Sequence, residues 1–148
     1  MKMILFIKVL FLYFFLSSNL IAEKFDYFEK GKSYFEKNKF ERSKFFFENS
    51  IVFNPKDENS YLYLAKIFNN SEDDFQEEMN LQSVLLLNPK NDEAIYMLIN
   101  LKIKQSDYDE TKRLIDEFKQ VCNSFCSKTN EIEDKFDKLE PSNDQNNN

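Results

Sequence analysis

Two cysteines, Cys122 and Cys126, are the first side chains in this sequence that could do chemistry together. On one helix, residues four positions apart have Cα atoms about 6 Å apart, because each residue rises roughly 1.5 Å. A disulfide tolerates that separation near the long end of its range. Because an exported protein meets oxidising conditions, we expect either a local disulfide at this turn or, as the alternative, two half-buried thiols. Two thiolates alone make a poor zinc site, so no metal is predicted.

Neighbouring carboxylates, at Asp73-Asp74 and Glu77-Glu78, are the other candidates for chemistry. A calcium loop needs alternating oxygen ligands around a turn that contains glycine, and the single glycine, Gly31, lies in a predicted helix. The chain has no histidine, which excludes histidine-based acid-base catalysis, histidine-activated nucleophiles and zinc sites that contain histidine. The sequence therefore predicts no catalytic, cofactor-binding or metal-binding residue, and no enzyme.

The charge distribution argues against a nucleic-acid partner. The formal net charge is −6, and the lysines between residues 24 and 44 alternate with glutamates. Phosphate contacts need clustered lysine or arginine side chains. We interpret the lysines as part of a solvated helical surface.

Two Asn-Pro-Lys triplets give the chain an internal period. Pro55 and Pro89 are 34 residues apart, and similar apolar residues precede both. Because proline lacks an N–H and disfavours an α conformation in the residue before it, each is predicted to end a helix. Tyr61, Leu64 and Phe68 recur at intervals of three and four, which places them on one stripe of a helix. This period is typical of helix-turn-helix repeats, and it divides the chain into units 24–57, 58–91 and 92–123.

The residues at matching positions resemble the pattern of tetratricopeptide repeats. In the first unit that pattern is carried by Tyr27, Gly31, Tyr34, Phe40, Ser43, Ser50, Phe53 and Pro55. In the third it is carried by Leu98, Ile99, Tyr108, Leu114, Ile115 and Phe118. The resemblance implies an all-α fold, in which three helix-turn-helix repeats stack as a short right-handed superhelix.

The second unit departs from the pattern at two positions. Glu77 stands where a small residue is expected, and the aromatic Phe75 comes one place late. We interpret this as a loop within residues 69–74 that is one residue longer than in the other units.

Two further segments follow the repeats. Phe125, Ile132, Phe136 and Leu139 continue a helical spacing, so residues 124–140 are predicted to form a helix that caps the last apolar surface of the array. Residues 141–148 are polar and rich in asparagine, and we expect them to be disordered.

Residues 1–22 have the layout of a secretory signal peptide. Two lysines and no acid precede an apolar run from Val9 to Leu16, and a more polar stretch ends at Ala22. We predict cleavage after Ala22 and export to the periplasm, because the apolar run is much shorter than the roughly 20 residues of a membrane span. Leu20 stands where a small residue is usual, so an uncleaved anchor in the inner membrane is the alternative.

The resemblance also implies a concave groove that is lined by the first helix of each repeat. An apolar floor would be formed by Phe28, Phe35, Leu62, Tyr96 and Ile103. Polar contacts to a peptide backbone or a carboxylate would come from Lys32, Lys66, Asn69 and Asn100. The alternative for each aromatic residue is packing against a neighbouring helix.

Two functions follow from this reading. The first is a non-catalytic adaptor or scaffold in the cell envelope that binds a protein or peptide partner in the concave groove. The second is a structural subunit or self-associating component of an envelope complex. A membrane contact is expected only if the signal segment is retained.

Overall fold

A computed structural model describes residues 26–139, which form seven α helices and one short 3₁₀ turn. The helices are α1 (Tyr27–Phe35), α2 (Phe40–Phe53), α3 (Glu58–Asn70), α4 (Asp74–Leu87), α5 (Asp92–Lys104), α6 (Tyr108–Val121) and α7 (Thr129–Asp137). The predicted all-α class is confirmed. The predicted signal peptide (residues 1–22) and disordered tail (141–148) lie outside the described residues. None of the helices within residues 26–139 is long and apolar enough to cross a membrane.

The turn inside each helix pair has the same geometry in all three repeats. Asn38, Glu72 and Ser106 occupy equivalent positions and have φ angles of 54°, 58° and 57°. The N–H of the following residue donates to a carbonyl five residues earlier in each case, at 2.9 to 3.0 Å. This left-handed residue closes the end of the first helix. Because the second repeat has the same turn, our prediction of a longer loop within residues 69–74 is wrong.

Glu77 occupies the small-residue position of the second repeat without any shift in register. The equivalent residues, Ser43 and Thr111, are buried and donate to the backbone carbonyls of Gly31 and Asp107 at 2.8 and 2.6 Å. Glu77 is only 2% exposed, and both its carboxylate oxygens accept from the side-chain amide of Asn69 at 3.1 Å. The amide thus replaces the water that the carboxylate loses on burial.

Position 31 requires glycine because there is no room for a side chain, and not because of its backbone conformation. An added Cβ would lie 2.7 Å from the Phe47 ring, which is fully buried between α1 and α3. Any side chain here would therefore push the ring out of the first repeat.

Helix pairs are joined by apolar contacts between each second helix and the next first helix. Around the first junction, Phe47 packs with Leu64 and Ile67. A larger cluster runs through the second and third repeats and includes Ala65, Leu81, Val84, Ile95, Leu98, Ile99, Leu114, Phe118 and Ile132. Ile132 belongs to α7, so this last helix covers the exposed side of the third repeat, as a capping helix must.

The turn between α6 and α7 is fixed by a carboxylate and a disulfide. One oxygen of Asp92 accepts from the backbone N–H groups of Asn123 and Phe125 at 2.7 and 2.8 Å. Burial alone would raise the pKa of Asp92, but these hydrogen bonds outweigh it and lower the pKa. Cys122 and Cys126 are joined by a disulfide with Cα atoms 5.1 Å apart. They do not share one helix as the sequence analysis assumed, since Cys122 directly follows α6 and Cys126 begins the 3₁₀ turn.

The burial of Glu77 leads to a prediction about how the free energy of unfolding depends on pH. Burial raises the pKa of Glu77, and the nearby Asp74 carboxylate adds to this. For a carboxyl whose pKa is raised by folding, the stability it contributes is present at acidic pH and is lost as pH rises through the raised value. Glu77→Gln can keep a paired hydrogen bond with Asn69 and removes the charge. We expect it to raise the free energy of unfolding by about 1 kcal/mol at neutral pH.

The measurement is urea unfolding, followed by circular dichroism, at several pH values from acidic to neutral. The difference between variant and wild type should shrink as pH falls. Glu48→Gln, on the exposed side of α2, is the matched control and should leave the free energy of unfolding at neutral pH unchanged. A Glu77→Gln variant that follows the wild-type pH profile would contradict the argument.

Candidate functional site

The first helices of the three repeats and α7 lie side by side and form one surface, which we call the inner face. Rings of α1 contact Tyr63 of α3. Lys66 of α3 forms an ion pair with Glu93 of α5 at 2.8 Å. Tyr96 of α5 donates to Glu131 of α7 at 2.9 Å. Since the second helices α2, α4 and α6 pack behind these, their far sides form the opposite surface, the outer face.

An aromatic shelf occupies the inner face at the junction of α1 and α3. Phe28 and Phe35 both meet the Tyr63 ring edge-on, with ring centroids 5.8 and 5.1 Å apart. The buried Phe47 stacks behind Tyr63 at 4.9 Å. The three shelf rings are each half-buried, so their outer edges remain open to solvent. The shelf, defined as Phe28, Phe35 and Tyr63, is a supported apolar surface for a ligand side chain.

Lys32 provides a positive charge beside the shelf. It lies four residues after Phe28 and three before Phe35, which places all three on one stripe of α1. Within residues 26–139, Lys32 has no ion-pair partner. Its ammonium group is therefore available to a carbonyl or carboxylate of a ligand.

Lys66 lies on the other side of the shelf but is held in place. Its amine lies 4.9 Å from the centroid of the Tyr63 ring, in addition to its ion pair with Glu93. The side chains of this pair remain about a quarter exposed, at 25% and 28%. A ligand thus meets a neutralised pair at Lys66 rather than the free cation that the sequence suggested.

Two of the predicted groove residues in the second repeat are engaged by the protein itself. Leu62 is 6% exposed and belongs to the core shared by the second and third repeats, so it offers almost no surface to a ligand. The amide of Asn69 donates to the buried Glu77. The sequence analysis placed both residues in the groove because helical position alone does not show which neighbour reaches them.

The third repeat's part of the inner face is covered by α7. Tyr96 donates to Glu131, and its ring lies 5.6 Å from that of Phe125. The Asn100 oxygen accepts from Lys135 at 2.7 Å. Ile103 is half-buried and packs against the larger core cluster. Tyr96 and Asn100 therefore bind the capping helix, whereas Ile103 packs against the core. The open part of the inner face lies on α1 and α3.

Glu131 of α7 accepts the hydrogen bond from Tyr96 of α5 and also pairs with two lysines. Its carboxylate accepts from Lys128 and Lys135, each at 2.8 Å, and from the Tyr96 hydroxyl. The hydrogen bond from Lys128, followed by those from Lys135 and Tyr96, lowers the pKa of Glu131 to about 2. The carboxylate therefore remains charged and attached to α5 at any pH near neutrality.

Tyr63 is the residue of this site that the sequence analysis missed. It is the ring on which Phe28, Phe35, Phe47 and Lys66 converge. A signal was present, because Tyr63 lies three residues before Lys66 on the same helix. In residues 26–139 no group of three or more acidic or cysteine side chains is arranged to hold a metal ion.

Comparisons with known proteins identify the fold. No family model matches the chain, and no curated protein sequence matches it. Among solved structures, the chain is similar to the TPR domain of Arabidopsis OM64, with a TM-score of 0.65 and 18% sequence identity. That match covers 77% of this chain and 91% of the OM64 chain.

A second similar structure is the complex of the yeast Sti1 TPR2B domain with pHsp70. Its TM-score is 0.64 at 18% identity, and the match covers 74% of this chain and 90% of that chain. At this level of identity the similarity shows the fold, which agrees with the repeated turns and the capping helix. This chain has the tetratricopeptide repeat fold.

Proposed function

We propose that the protein is a non-catalytic adaptor that binds an extended segment of another protein on its inner face. The general role in protein binding is supported by the fold, since the similar Sti1 domain was solved in complex with pHsp70. The single observation that carries the proposal is the aromatic shelf with Lys32 beside it. Half-buried rings that are backed by a fully buried ring form a rigid anchor point of the kind that dominates binding energy at interfaces.

The geometry of the open surface defines the kind of segment that fits. An apolar or aromatic side chain would lie on the shelf, and a backbone carbonyl or carboxylate would reach Lys32. Because α7 covers Tyr96 and Asn100, the binding surface is restricted to the first two repeats. The ligand is therefore a short segment rather than one that follows the whole array.

Lys32→Glu tests the proposed site. We expect the reversed charge to weaken capture of the partner about tenfold or more, because it repels the group that Lys32 would hold. The measurement is crosslinking and affinity capture from intact cells that produce the full chain, followed by quantitative mass spectrometry.

The matched control is Lys56→Glu, which makes the same charge change in the exposed turn between α2 and α3. Both variants should keep the wild-type helical signal. If both capture the same partner as the wild type in equal amounts, the inner face is not the binding surface.

A second test asks whether Glu131 holds α7 over the third repeat and so limits the binding surface to the first two repeats. A carboxyl whose pKa is lowered by folding contributes stability above its ordinary pKa of 4.5, and that contribution is lost as pH falls towards the folded value of about 2. Glu131→Gln removes the charge that Lys128 and Lys135 bind. We expect the backbone amides of α7 to exchange faster than in the wild type at neutral pH, and the difference to shrink below pH 4.5.

Hydrogen exchange with mass spectrometry measures this effect. Asp134→Asn, an exposed position on α7, serves as the control and should leave exchange unchanged. Equal protection of α7 in Glu131→Gln and wild type at neutral pH would mean that apolar contacts alone hold the helix.

We place this adaptor in the periplasm. The layout of residues 1–22 supports export, and the disulfide between Cys122 and Cys126 is the kind of bond that persists in an oxidising compartment. The exported form would carry a more acidic net charge than the full chain, because residues 1–22 contain lysines and no acid.

The mass of the protein isolated from the cell envelope tests the compartment. We expect the mature chain to begin at Glu23 and to be two mass units lighter than its reduced form. A full-length mass in the membrane fraction would instead establish the uncleaved anchor. Recovery of the full chain in the cytoplasm, with both thiols reduced, would rule out export.

A further inference from the structure

At two sets of equivalent positions, the outer face carries apolar side chains on the first two repeats and polar ones on the third. Phe45 of α2 and Met79 of α4 are equivalent to Arg113 of α6. Val52 and Leu86 are equivalent to Gln120 in the same way. The apolar patch therefore ends where the third repeat begins, although all three helices have the same place in the fold.

These side chains are strongly exposed. Leu86 is 84% exposed and Val52 is 73% exposed, and the others range from 37% to 69%. We define the outer patch as Phe45, Val52, Phe53, Phe75, Met79, Leu86 and Leu87. None of them belongs to the buried core on the other side of α2 and α4, although the Phe53 ring stacks on Tyr27 of α1 with centroids 5.0 Å apart.

The size of the outer patch matches a protein interface. Its three phenylalanine side chains alone expose roughly 400 Å², since such a side chain has an area of about 200 Å². The four aliphatic side chains add to this area. The largest apolar patch on an ordinary monomer is about 300–600 Å². A standard interface buries about 800 Å² on each partner, so the patch and its rim are large enough for a stable dimer.

The spacing within α4 suits helix-on-helix packing. Phe75, Met79, Gln82 and Leu86 follow one another at intervals of four, three and four, the spacing of a helix seam. All four lie away from the core, where Leu81 and Val84 are buried. An antiparallel copy of the same helix presents the same spacing, as a twofold interface requires.

The charges near the patch favour another copy of this chain over a membrane. The outer side of α4 is flanked by the uncharged Gln76 and Ser83, and Glu78 is already paired with Lys102 at 2.7 Å. Two α4 helices can therefore approach without like-charge repulsion. On α2, Glu41 and Glu48 occupy the positions that Phe75 and Gln82 occupy on the α4 seam. A lipid surface would have to bury these two carboxylates, whereas a protein interface that holds bridging water can keep them hydrated.

We propose that the outer patch is the interface of a homodimer, in which α2 and α4 of one copy cover those of a second copy across a twofold axis. Such a back-to-back arrangement leaves both inner faces pointing away from the interface. A dimeric adaptor gains avidity for a partner that offers two binding segments. The dimer itself does not depend on what the inner face binds.

Photo-crosslinking in cells identifies what covers the patch. A benzophenone amino acid is placed at position 86 of the full chain, and at position 120 as the equivalent control on the polar helix. A product of twice the chain mass from position 86, with crosslinked peptides from two copies, and none from position 120, supports the dimer. Lipid adducts, crosslinks to a different protein, or no dimeric product from position 86 would overturn it.

A pair of substitutions that introduces charge into the outer patch tests whether this patch stabilises the dimer. We expect Met79→Glu with Leu86→Glu to raise the dimer dissociation constant about tenfold or more, because two carboxylates would be buried in each half of the interface. Arg113→Glu with Gln120→Glu is the equivalent pair on α6 and should leave dimerisation unchanged. Sedimentation equilibrium of the protein isolated from cells gives the masses, and circular dichroism checks the fold. A wild-type protein that sediments as a monomer, or a Met79→Glu, Leu86→Glu protein that dimerises as the wild type does, would overturn the proposal.

Discussion

Within residues 26–139, each helix pair needs the next helix to bury its apolar surface, and this constraint explains most of the described structure. Phe47 on α2 is covered only because α3 brings Leu64 and Ile67 against it. The same relation joins α4 to α5 and α6 to α7. At the start of the described array, the positions equivalent to Leu64 and Ile67 are Lys30 and Ser33, so α1 carries polar residues where later first helices receive the preceding pair.

The same constraint explains why the two faces can carry function. Apolar burial runs from each second helix to the next first helix, so the first helices contact one another mainly through side chains on the inner face. Their rings and charges are half-buried, as in the shelf of Phe28, Phe35 and Tyr63. The outer sides of α2, α4 and α6 take no part in stacking, and their composition is free to vary between repeats. That freedom is what allows Met79 and Leu86 in one repeat and Arg113 and Gln120 in the next.

Polar groups adapt the repeat to residues that its pattern does not favour. Glu77 is accommodated at a buried small-residue position by Asn69, which would otherwise be free to bind a ligand. Glu131 attaches α7 to Tyr96 and thereby removes the third repeat from the open surface. In both places a hydrogen bond that stabilises the fold also reduces the area available for binding. The inner face is smaller and less basic than a regular three-repeat groove would be.

The sequence by itself determined the helices, most of their ends and, through the resemblance to tetratricopeptide repeats, the fold. Pro55 and Pro89 end helices for reasons local to the backbone, and the spacing of apolar residues shows which stripe of each helix turns inward. Only the tertiary structure decided which side chains remain open on that stripe. Leu62 and Asn100 have positions typical of a groove, yet one is buried by the next repeat and the other is bound by Lys135, 35 residues away. Tyr63 and the turn between α3 and α4 were misjudged for the same reason. Helical spacing gives the direction of a side chain about its own axis, whereas its exposure and its partners depend on how the neighbouring helices are placed against it.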